Sequence, residues 1–209
     1  MTDTSPTNRF DLRAEKWDAD PVKLARALAV ADGIRSQVPT LAHARALEYG
    51  CGTGLLSFAL RPDCAHICLA DSSSGMLAML NEKIAVSGVT NMFPRKLDLV
   101  TDHLPSERYD LIYTLMTIHH IRDTDKLLSD FHALLTSSGY LCIADLDIED
   151  GSFHGPEFDG HKGFDRDDLG RKAEGAGFRD VRFSTVFHTK KGAGQNQTEY
   201  PVFLMVASK

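Results

Sequence analysis

The stretch that most constrains this chain is residues 44–54, which read Ala-Arg-Ala-Leu-Glu-Tyr-Gly-Cys-Gly-Thr-Gly. A short apolar run ends in an acid, glycine then occupies every second position, and residues 55–60 follow with the pattern of a helix. A strand, a glycine turn and a helix in this order present backbone amides to a ligand, and the missing Cβ atoms let the ligand approach the backbone. The dinucleotide fingerprint would require a glycine at position 55, where this chain has Leu55. A glycine-rich turn without a ligand stays open as the alternative interpretation of this stretch.

Apolar runs and helical patterns alternate along most of the chain. Buried strands are predicted at residues 44–48, 65–70, 92–97, 109–115 and 139–146, and helices at residues 21–37, 55–60, 73–87 and 123–135. In the first helix, apolar residues recur at steps of three and four at Leu24, Ala27, Leu28, Ala31 and Ile34. This alternation is typical of βαβ crossovers and of a parallel sheet covered by helices on both faces.

The end of the chain has a different pattern. A predicted helix at residues 165–176 is followed by strands at 178–187 and 200–207, which the polar connection 190–199 joins. A hairpin makes these two strands antiparallel. The predicted fold class is α/β, a Rossmann-like, doubly wound, mostly parallel seven-stranded sheet with an antiparallel terminal hairpin strand and helices on both faces.

The E-x-G-x-G-x-G pattern at residues 48–54 resembles the first motif of class I S-adenosylmethionine-dependent methyltransferases. The resemblance covers nearly the whole chain and is best over residues 44–146. The opening F-D-x-x-A-x-x-W-D at residues 10–18 is similar to the start of many small-molecule methyltransferases, including those of quinone biosynthesis. The resemblance implies S-adenosylmethionine as cofactor and methyl transfer to an oxygen, nitrogen or carbon atom of a small-molecule acceptor.

This resemblance also predicts how one domain, residues 1–209, is divided. Residues 1–40 form a helical lid segment, 41–146 the cofactor-binding core, 147–163 a substrate-facing loop, and 164–209 the last helix and hairpin. The cofactor contacts are expected at Glu48, Gly50, Cys51, Gly52, Gly54, Asp71, Ser72, Met76, Asp98, Leu99, Leu115 and Met116.

Each of the main cofactor residues has an expected role and an alternative one. The backbone around Gly52 can approach the methionine moiety, and Glu48 is an acceptor suited to its ammonium group or, alternatively, to fixing the glycine turn. The resemblance gives Asp71 the ribose hydroxyls, with a helix N-cap as the alternative. It places Met76 near the adenine, where core packing would be the alternative. It also gives Asp98 the adenine amino group, and the alternative is a surface turn.

The acceptor end is expected next to the segment 117–120, after the fourth strand. His119 and His120 are candidate catalytic bases, because histidine can accept a proton near neutral pH; a helix cap or a packed ring is the alternative for either. Further candidate substrate residues are Tyr113, His154 and His161. Phe10 and Trp17 are expected to close over the cofactor as a lid or, alternatively, to anchor the first helix on the sheet.

Acids and histidines cluster after the fifth strand, at Asp145, Asp147, Glu149, Asp150, His154 and His161. Such oxygen-rich loops suit Mg²⁺ or Ca²⁺. By resemblance, however, the catechol-type branch of the family begins its metal acids at the end of the fourth strand, where this chain has Thr-Leu-Met-Thr. We therefore expect a solvated, substrate-facing loop and no metal.

The charge balance limits the partners. The net charge is −6, and no block of basic residues is longer than Lys190-Lys191. This argues against a nucleic-acid or anionic-membrane surface, each of which needs a concentrated basic face. Four cysteines without a C-x-x-C pair, and an acidic start without an apolar segment, predict a cytoplasmic protein with buried, reduced thiols. Oligomeric state is not predicted.

Two other functions stay open at this point. One is a catalytically silent adenosylmethionine-binding protein that regulates or activates a partner. The other is a nucleotide-dependent oxidoreductase on a similar sheet, against which Leu55 speaks.

Overall fold

Seven strands form one sheet in the described part of the chain. The computed structural model describes residues 10–39, 41–192 and 197–209, so the polar start at 1–9 and part of the predicted connection 190–199 lie outside the described residues. The strands are β1 (Arg45–Tyr49), β2 (His66–Asp71), β3 (Met92–Lys96), β4 (Tyr109–Leu115), β5 (Leu135–Leu146), β6 (Arg179–Lys191) and β7 (Thr198–Ser208).

The strand order is β3-β2-β1-β4-β5-β7-β6. The pairs from β3 to β5 are parallel, whereas β7 runs antiparallel to both β5 and β6. This confirms the predicted mostly parallel sheet with one antiparallel strand. The order reverses between β1 and β4, and in open α/β sheets such a reversal leaves a crevice at the carboxyl ends of the strands.

Within the described residues, four of the five α-helices begin after a short polar side chain that caps them, and the helix at Leu55–Leu60 begins after Gly54 without such a cap. The helices are α1 (Pro21–Gln37), α2 (Leu55–Leu60), α3 (Ser74–Ser87), α4 (Thr124–Leu134) and α5 (Arg166–Gly175). Asp20 accepts a hydrogen bond from the Val22 amide at 2.9 Å, and Ser73 accepts one from the Met76 amide at 3.1 Å. These caps satisfy amides that have no partner inside a helix.

Helices pack on both faces of the sheet, and successive strand residues point to opposite faces. Side chains of α1, α2 and α3 share one core with Ala46 and Leu111, whereas α4 and α5 share the other with Leu47 and Ile112. The four cysteines are buried and free, as expected. None of the helices in the described ranges combines the length and the apolar character that a membrane crossing requires.

Two expectations about element limits were wrong. β5 begins at Leu135, directly after α4, and not at residue 139. The hairpin strands reach Lys191 and Thr198, where Lys190 pairs with Glu199 and their charged groups lie 2.6 Å apart. The added residues of the hairpin lie at the edge of the sheet, where polar side chains are common. They therefore lack the apolar alternation from which strands are predicted.

Candidate active site

A cavity of about 840 Å³ opens at the carboxyl ends of the parallel strands. Its size lies in the usual range of small-molecule sites. The predicted site residues that line it are Phe10, Trp17, Glu48, Gly50, Cys51, Gly52, Asp71, Ser72, Met76, Asp98, Leu115, Met116, His119, His120 and His154. Cofactor and acceptor candidates that lie more than a hundred residues apart in the chain, such as Glu48 and His154, therefore share one cavity.

Within the glycine turn, the three glycines have different surroundings. A Cβ atom at Gly52 would meet nothing nearer than Trp17 and Met76, at 3.8 and 3.9 Å, so this glycine borders open space. At Gly54 a Cβ would lie 2.8 Å from Leu80, and at Gly50 it would collide with Thr117. Gly52 thus leaves room for a ligand, whereas the space at Gly50 and Gly54 is taken by the side chains of Thr117 and Leu80.

Asp71, at the end of β2, ties the glycine turn to the next helix. Its Oδ2 accepts from the Gly52 amide at 2.7 Å, and its Oδ1 accepts from the Ser73 amide at 2.8 Å. Burial raises the pKa of this carboxyl, although the backbone donors oppose the shift. The carboxylate borders the cavity and has lone pairs beyond the two that these amides use.

Glu48 occupies a buried position below the turn. Its Oε2 accepts from both the amide and the hydroxyl of Ser57, so it holds the first turn of α2 to β1. Burial raises the pKa of Glu48 to about 8. The two hydrogen bonds of Glu48 go to Ser57 in α2 and not to the amides of residues 50–54, so they fix the helix rather than the glycine turn itself. The side chain also borders the cavity, and the ammonium role remains a proposal.

Of the adenine candidates, Asp98 and Met76 border the cavity. Asp98 accepts from the Val100 amide at 2.9 Å in a turn and borders the cavity. Leu99 is buried and lies outside the cavity wall, where its amide donates to the Tyr49 hydroxyl at 3.1 Å. Met76 is buried but borders the cavity, so it serves the core and the cavity wall together.

The segment before α1 lies across this cavity. Phe10 and Trp17 form an edge-to-face pair at 5.9 Å, and Phe10 contacts His120 in the same way at 5.3 Å. Asp11 accepts from the Gly75 amide at 2.7 Å, and Asp18 lies 2.5 Å from the Lys83 ammonium group. These contacts hold the segment against α3 and over the glycine turn.

The three histidines His119, His120 and His154 meet in the cavity wall. The His119 ring, 1% exposed, places Nδ1 2.7 Å from Oδ1 of the fully buried Asp145. Burial and the neighbouring imidazoles lower the pKa of His120 to about 3. Burial, His119 and Lys191 lower the pKa of His154 to about 4. At neutral pH, therefore, His120 and His154 are uncharged.

Two predicted substrate residues lie away from the cavity wall. Tyr113 points from β4 into the hydrophobic core, where its ring is fully buried. Its hydroxyl forms a hydrogen bond with the Ser57 hydroxyl at 2.6 Å. The Nε2 atom of His161 lies 2.9 Å from the carbonyl oxygen of Ile121. The backbone amide of His161 donates to the His119 carbonyl at 2.8 Å. His161 thereby ties the loop 147–163 to the histidine segment and brings His154 beside His119.

The sequence patterns missed several residues of the cavity wall. Arg26 is only 9% exposed and borders the cavity, whereas Leu24 and Leu28, expected on the apolar stripe of α1, are 45% and 46% exposed. A charged residue beside Ala27 and one turn before Val30, both buried, is the signal that could have identified Arg26. Lys191 also borders the cavity, from the end of β6.

Comparison with known proteins shows the family to which the chain belongs. A family model described as a methyltransferase domain matches residues 23–182. An uncharacterized methyltransferase of Schizosaccharomyces pombe is 32% identical over 116 residues, which cover 52% of this chain and 41% of that protein. Phosphoethanolamine N-methyltransferase 1 of Arabidopsis thaliana is 29% identical over 143 residues, covering 66% of this chain and 29% of that protein. The matched segments span less than half the length of the first curated relatives.

Solved structures share the fold of this chain. A crystal structure of a SAM-dependent methyltransferase from Aquifex aeolicus has a TM-score of 0.70 at 20% identity, covering 95% of this chain and 97% of that one. The open space at Gly52, bordered by the Asp71 carboxylate, fits the cofactor of this fold. The chain belongs to the class I methyltransferases, the family whose methyl donor is S-adenosylmethionine.

Proposed function

We propose that this chain transfers the methyl group of S-adenosylmethionine to an oxygen, nitrogen or carbon atom of a small molecule. The observation that carries the proposal is the shared cavity, whose wall contains both the glycine turn and the histidine cluster. The acceptor attacks the methyl carbon in line, and S-adenosylhomocysteine leaves. Because the leaving sulfur is positively charged before reaction, the main task of the protein is alignment, which can lower a barrier by about 7–11 kcal/mol.

The cofactor end of the cavity has a donor or acceptor for each part of the ligand. The glycine turn offers backbone groups to the methionine moiety, Asp71 faces the ribose hydroxyls, and Asp98 faces the adenine amino group. Glu48 accepts the ammonium group directly or through water. The segment with Phe10 and Trp17 covers the cofactor and excludes water.

The acceptor end carries positive charge. Arg13, Lys23, Arg26 and Lys191 all border the cavity. The Arg26 Nε atom is buried and has no hydrogen-bond partner among the described residues. An unpaired buried donor is costly unless a ligand pairs with it, so this wall favours an acceptor with a carboxylate or phosphate group. The Arabidopsis relative is named for a phosphate-bearing acceptor, which agrees with this preference.

A methyl-transfer assay tests the proposal. The purified chain is incubated with S-adenosylmethionine and a panel of small carboxylates and phosphates, each paired with a neutral analogue of the same shape, and S-adenosylhomocysteine is quantified. We expect turnover of at least one anionic acceptor and a much lower rate with its neutral analogue. Cofactor binding without turnover of any acceptor would instead favour the silent binding protein.

Asp71→Ala should weaken S-adenosylhomocysteine binding by about 1.5–3 kcal/mol, or roughly 10- to 150-fold in Kd, the usual worth of hydrogen bonds to a charged group. The matched control is Asp32→Ala, because Asp32 is an exposed acid whose ion pair with Arg35 lies outside the cavity. Calorimetric titration measures both affinities. An unchanged affinity in the Asp71 variant would contradict the ribose assignment.

A further inference from the structure

The three histidines of the cavity wall also form a donor set of their own. One nitrogen atom from each of His119, His120 and His154 can be chosen so that all three lie within 4.8 Å of one another. Nitrogen ligands of one tetrahedral zinc ion are roughly 3.3 Å apart at bond lengths of about 2.0–2.1 Å. Small side-chain rotations would therefore bring the three nitrogen atoms around a single ion.

Asp145 prepares His119 for this role. Its carboxylate lies 2.7 Å from the Nδ1 atom of His119 and accepts a hydrogen bond from Nδ1–H. In this tautomer the Nε2 atom of His119 has a free lone pair. The His119 amide also points to this carboxylate, at 3.3 Å. A histidine that binds a metal usually donates its other ring N–H to a carboxylate, which fixes the tautomer and the ring orientation.

His154 is also held in place and lacks a partner. Its ring stacks on Phe158 at 4.0 Å between centroids, with planes 17° apart. Its Nδ1 atom is buried without a hydrogen-bond partner among the described residues. A buried polar atom without a partner requires an explanation, and a bound ion is one of the usual ones.

His120 completes the set from the residue after His119. Its ring contacts Phe10 and Phe158 edge to face, each at 5.3 Å. This aromatic, largely buried surrounding favours the uncharged imidazole, the form that binds a metal. Among the charged groups near these rings, the carboxylates of Asp145 and Asp159 favour a bound positive charge, and the ammonium group of Lys191 opposes it.

We propose that His119, His120 and His154 bind one divalent transition-metal ion of the zinc type, with Asp145 as the positioning residue. Imidazole ligands select zinc and its neighbours in the periodic table, not Mg²⁺ or Ca²⁺, which prefer oxygen. Three protein ligands leave a coordination position open toward the cavity, as in catalytic zinc sites. An acceptor hydroxyl or carboxylate bound there would be polarised and placed beside the methyl donor.

This site shares only His154 and the positioning residue Asp145 with the cluster considered in the sequence, for which no metal was expected. The acids at Asp147, Glu149 and Asp150 are not part of it. Asp147 is instead paired with Arg166 through two hydrogen bonds of 2.6 and 2.7 Å, and Glu149 accepts from the Gly151 amide at 2.7 Å. Metal binding also does not depend on methyl transfer, so it can be tested without an acceptor.

The test is a metal titration of the tag-free, chelator-treated full chain. Co²⁺ is added while its visible absorption is followed, and Zn²⁺ is titrated by calorimetry. We expect one ion per chain, with visible bands of a four- or five-coordinate Co²⁺ site. His154→Gln should weaken binding by at least about 100-fold, and Asp145→Asn by about 10- to 100-fold. His103→Gln, at an exposed histidine outside the cluster, should leave binding unchanged.

Two further measurements keep the result decisive. S-adenosylhomocysteine affinity, measured in every variant, shows whether the cavity is still folded. X-ray absorption of the Zn²⁺ complex of the unaltered chain reports the ligands directly, and about three imidazoles are expected. Absence of saturable binding, thiolate ligands, or affinity unchanged in a folded His154→Gln variant would each overturn the proposal, whereas none of them would affect the assignment of the cofactor site.

Discussion

Individual residues in this cavity combine structural and ligand-facing roles. Asp71 accepts from the amides of Gly52 in the glycine turn and of Ser73, the cap residue of α3, while it also borders the cavity. Glu48 anchors Ser57, and Arg26 occupies a buried position on α1. Charged groups that are buried without full pairing reduce the stability of the free protein, so their energetic cost can be measured before any acceptor is known.

Arg26→Met should raise the free energy of unfolding of the free protein by about 1–3 kcal/mol, because it removes a buried guanidinium whose Nε is unpaired. Burial lowers the pKa of Arg26 despite the attraction of Asp145 and Asp20, so the charged form is disfavoured where it lies. Denaturant unfolding measures the change.

Arg35→Met on the same helix is the control. Arg35 has partners at Asp32 and Asp63, at 2.9 and 2.8 Å, so its loss should not stabilise the protein. If Arg26→Met destabilised the protein as much as Arg35→Met did, Arg26 would be a packing residue and the preference for an anionic acceptor would lose its support.

Glu48 should make stability depend on pH. The unfolded chain loses this proton near pH 4.3, whereas the folded chain holds it until about pH 8. The stabilisation is therefore fully present below the lower value and is lost as pH rises through the upper one, with a slope of up to about 1.4 kcal/mol per pH unit. Glu48→Gln, whose amide oxygen can accept both Ser57 bonds, should lack this fall between about pH 5 and pH 8. Parallel slopes in the two proteins, measured by urea unfolding across that range, would show that Glu48 is ionised in the folded state.

At the scale of elements, the glycine turn joins β1 to α2, and its glycines have different surroundings. Gly54, with φ +78°, packs under Leu80 of α3, while Gly52, with φ +53°, borders the cavity. Both conformations are left-handed, so a side chain costs backbone strain at either position. Only the surroundings differ, which makes the two glycines a matched pair.

Gly52→Val should abolish measurable S-adenosylhomocysteine binding while lowering stability by about 1–3 kcal/mol, the cost of backbone strain. Gly54→Val should lower stability further, because its side chain would collide with Leu80 and Leu69 at 2.8 and 3.2 Å. Thermal unfolding and calorimetric titration separate the two effects. Normal cofactor affinity in the Gly52 variant would show that the turn does not face the ligand.

At the scale of the whole molecule, the cavity lies where the strand order reverses, and it draws residues from Phe10 to Lys191. A ligand bound there contacts the first segment, both sides of the reversal and the terminal hairpin. Binding should therefore stabilise the entire fold by mass action, since the unfolded chain has no site.

S-adenosylhomocysteine at 100 times its Kd should stabilise the fold by about 2.7 kcal/mol, which corresponds to roughly 5–11 °C in Tm for a chain of this size. NAD(P)H at the same concentration should leave Tm unchanged. Because Trp17 is the only tryptophan and borders the cavity, its fluorescence can follow both titrations. A shift with NAD(P)H alone would restore the oxidoreductase interpretation.

The sequence by itself predicted most of the elements and the mostly parallel sheet with its antiparallel terminal strand, and it suggested the residues that are proposed for the cofactor. Glycine conformations and apolar periodicity act over a few residues, so residues 44–54 and the alternating strand and helix patterns could be interpreted from the sequence alone. Tertiary structure alone decided the acceptor end. It buried Tyr113, turned Arg26 into the cavity wall, and brought His154 to His119 and Asp145. These residues lie on segments far apart in the chain, and their meeting depends on how loops pack over a completed sheet, which no local pattern encodes.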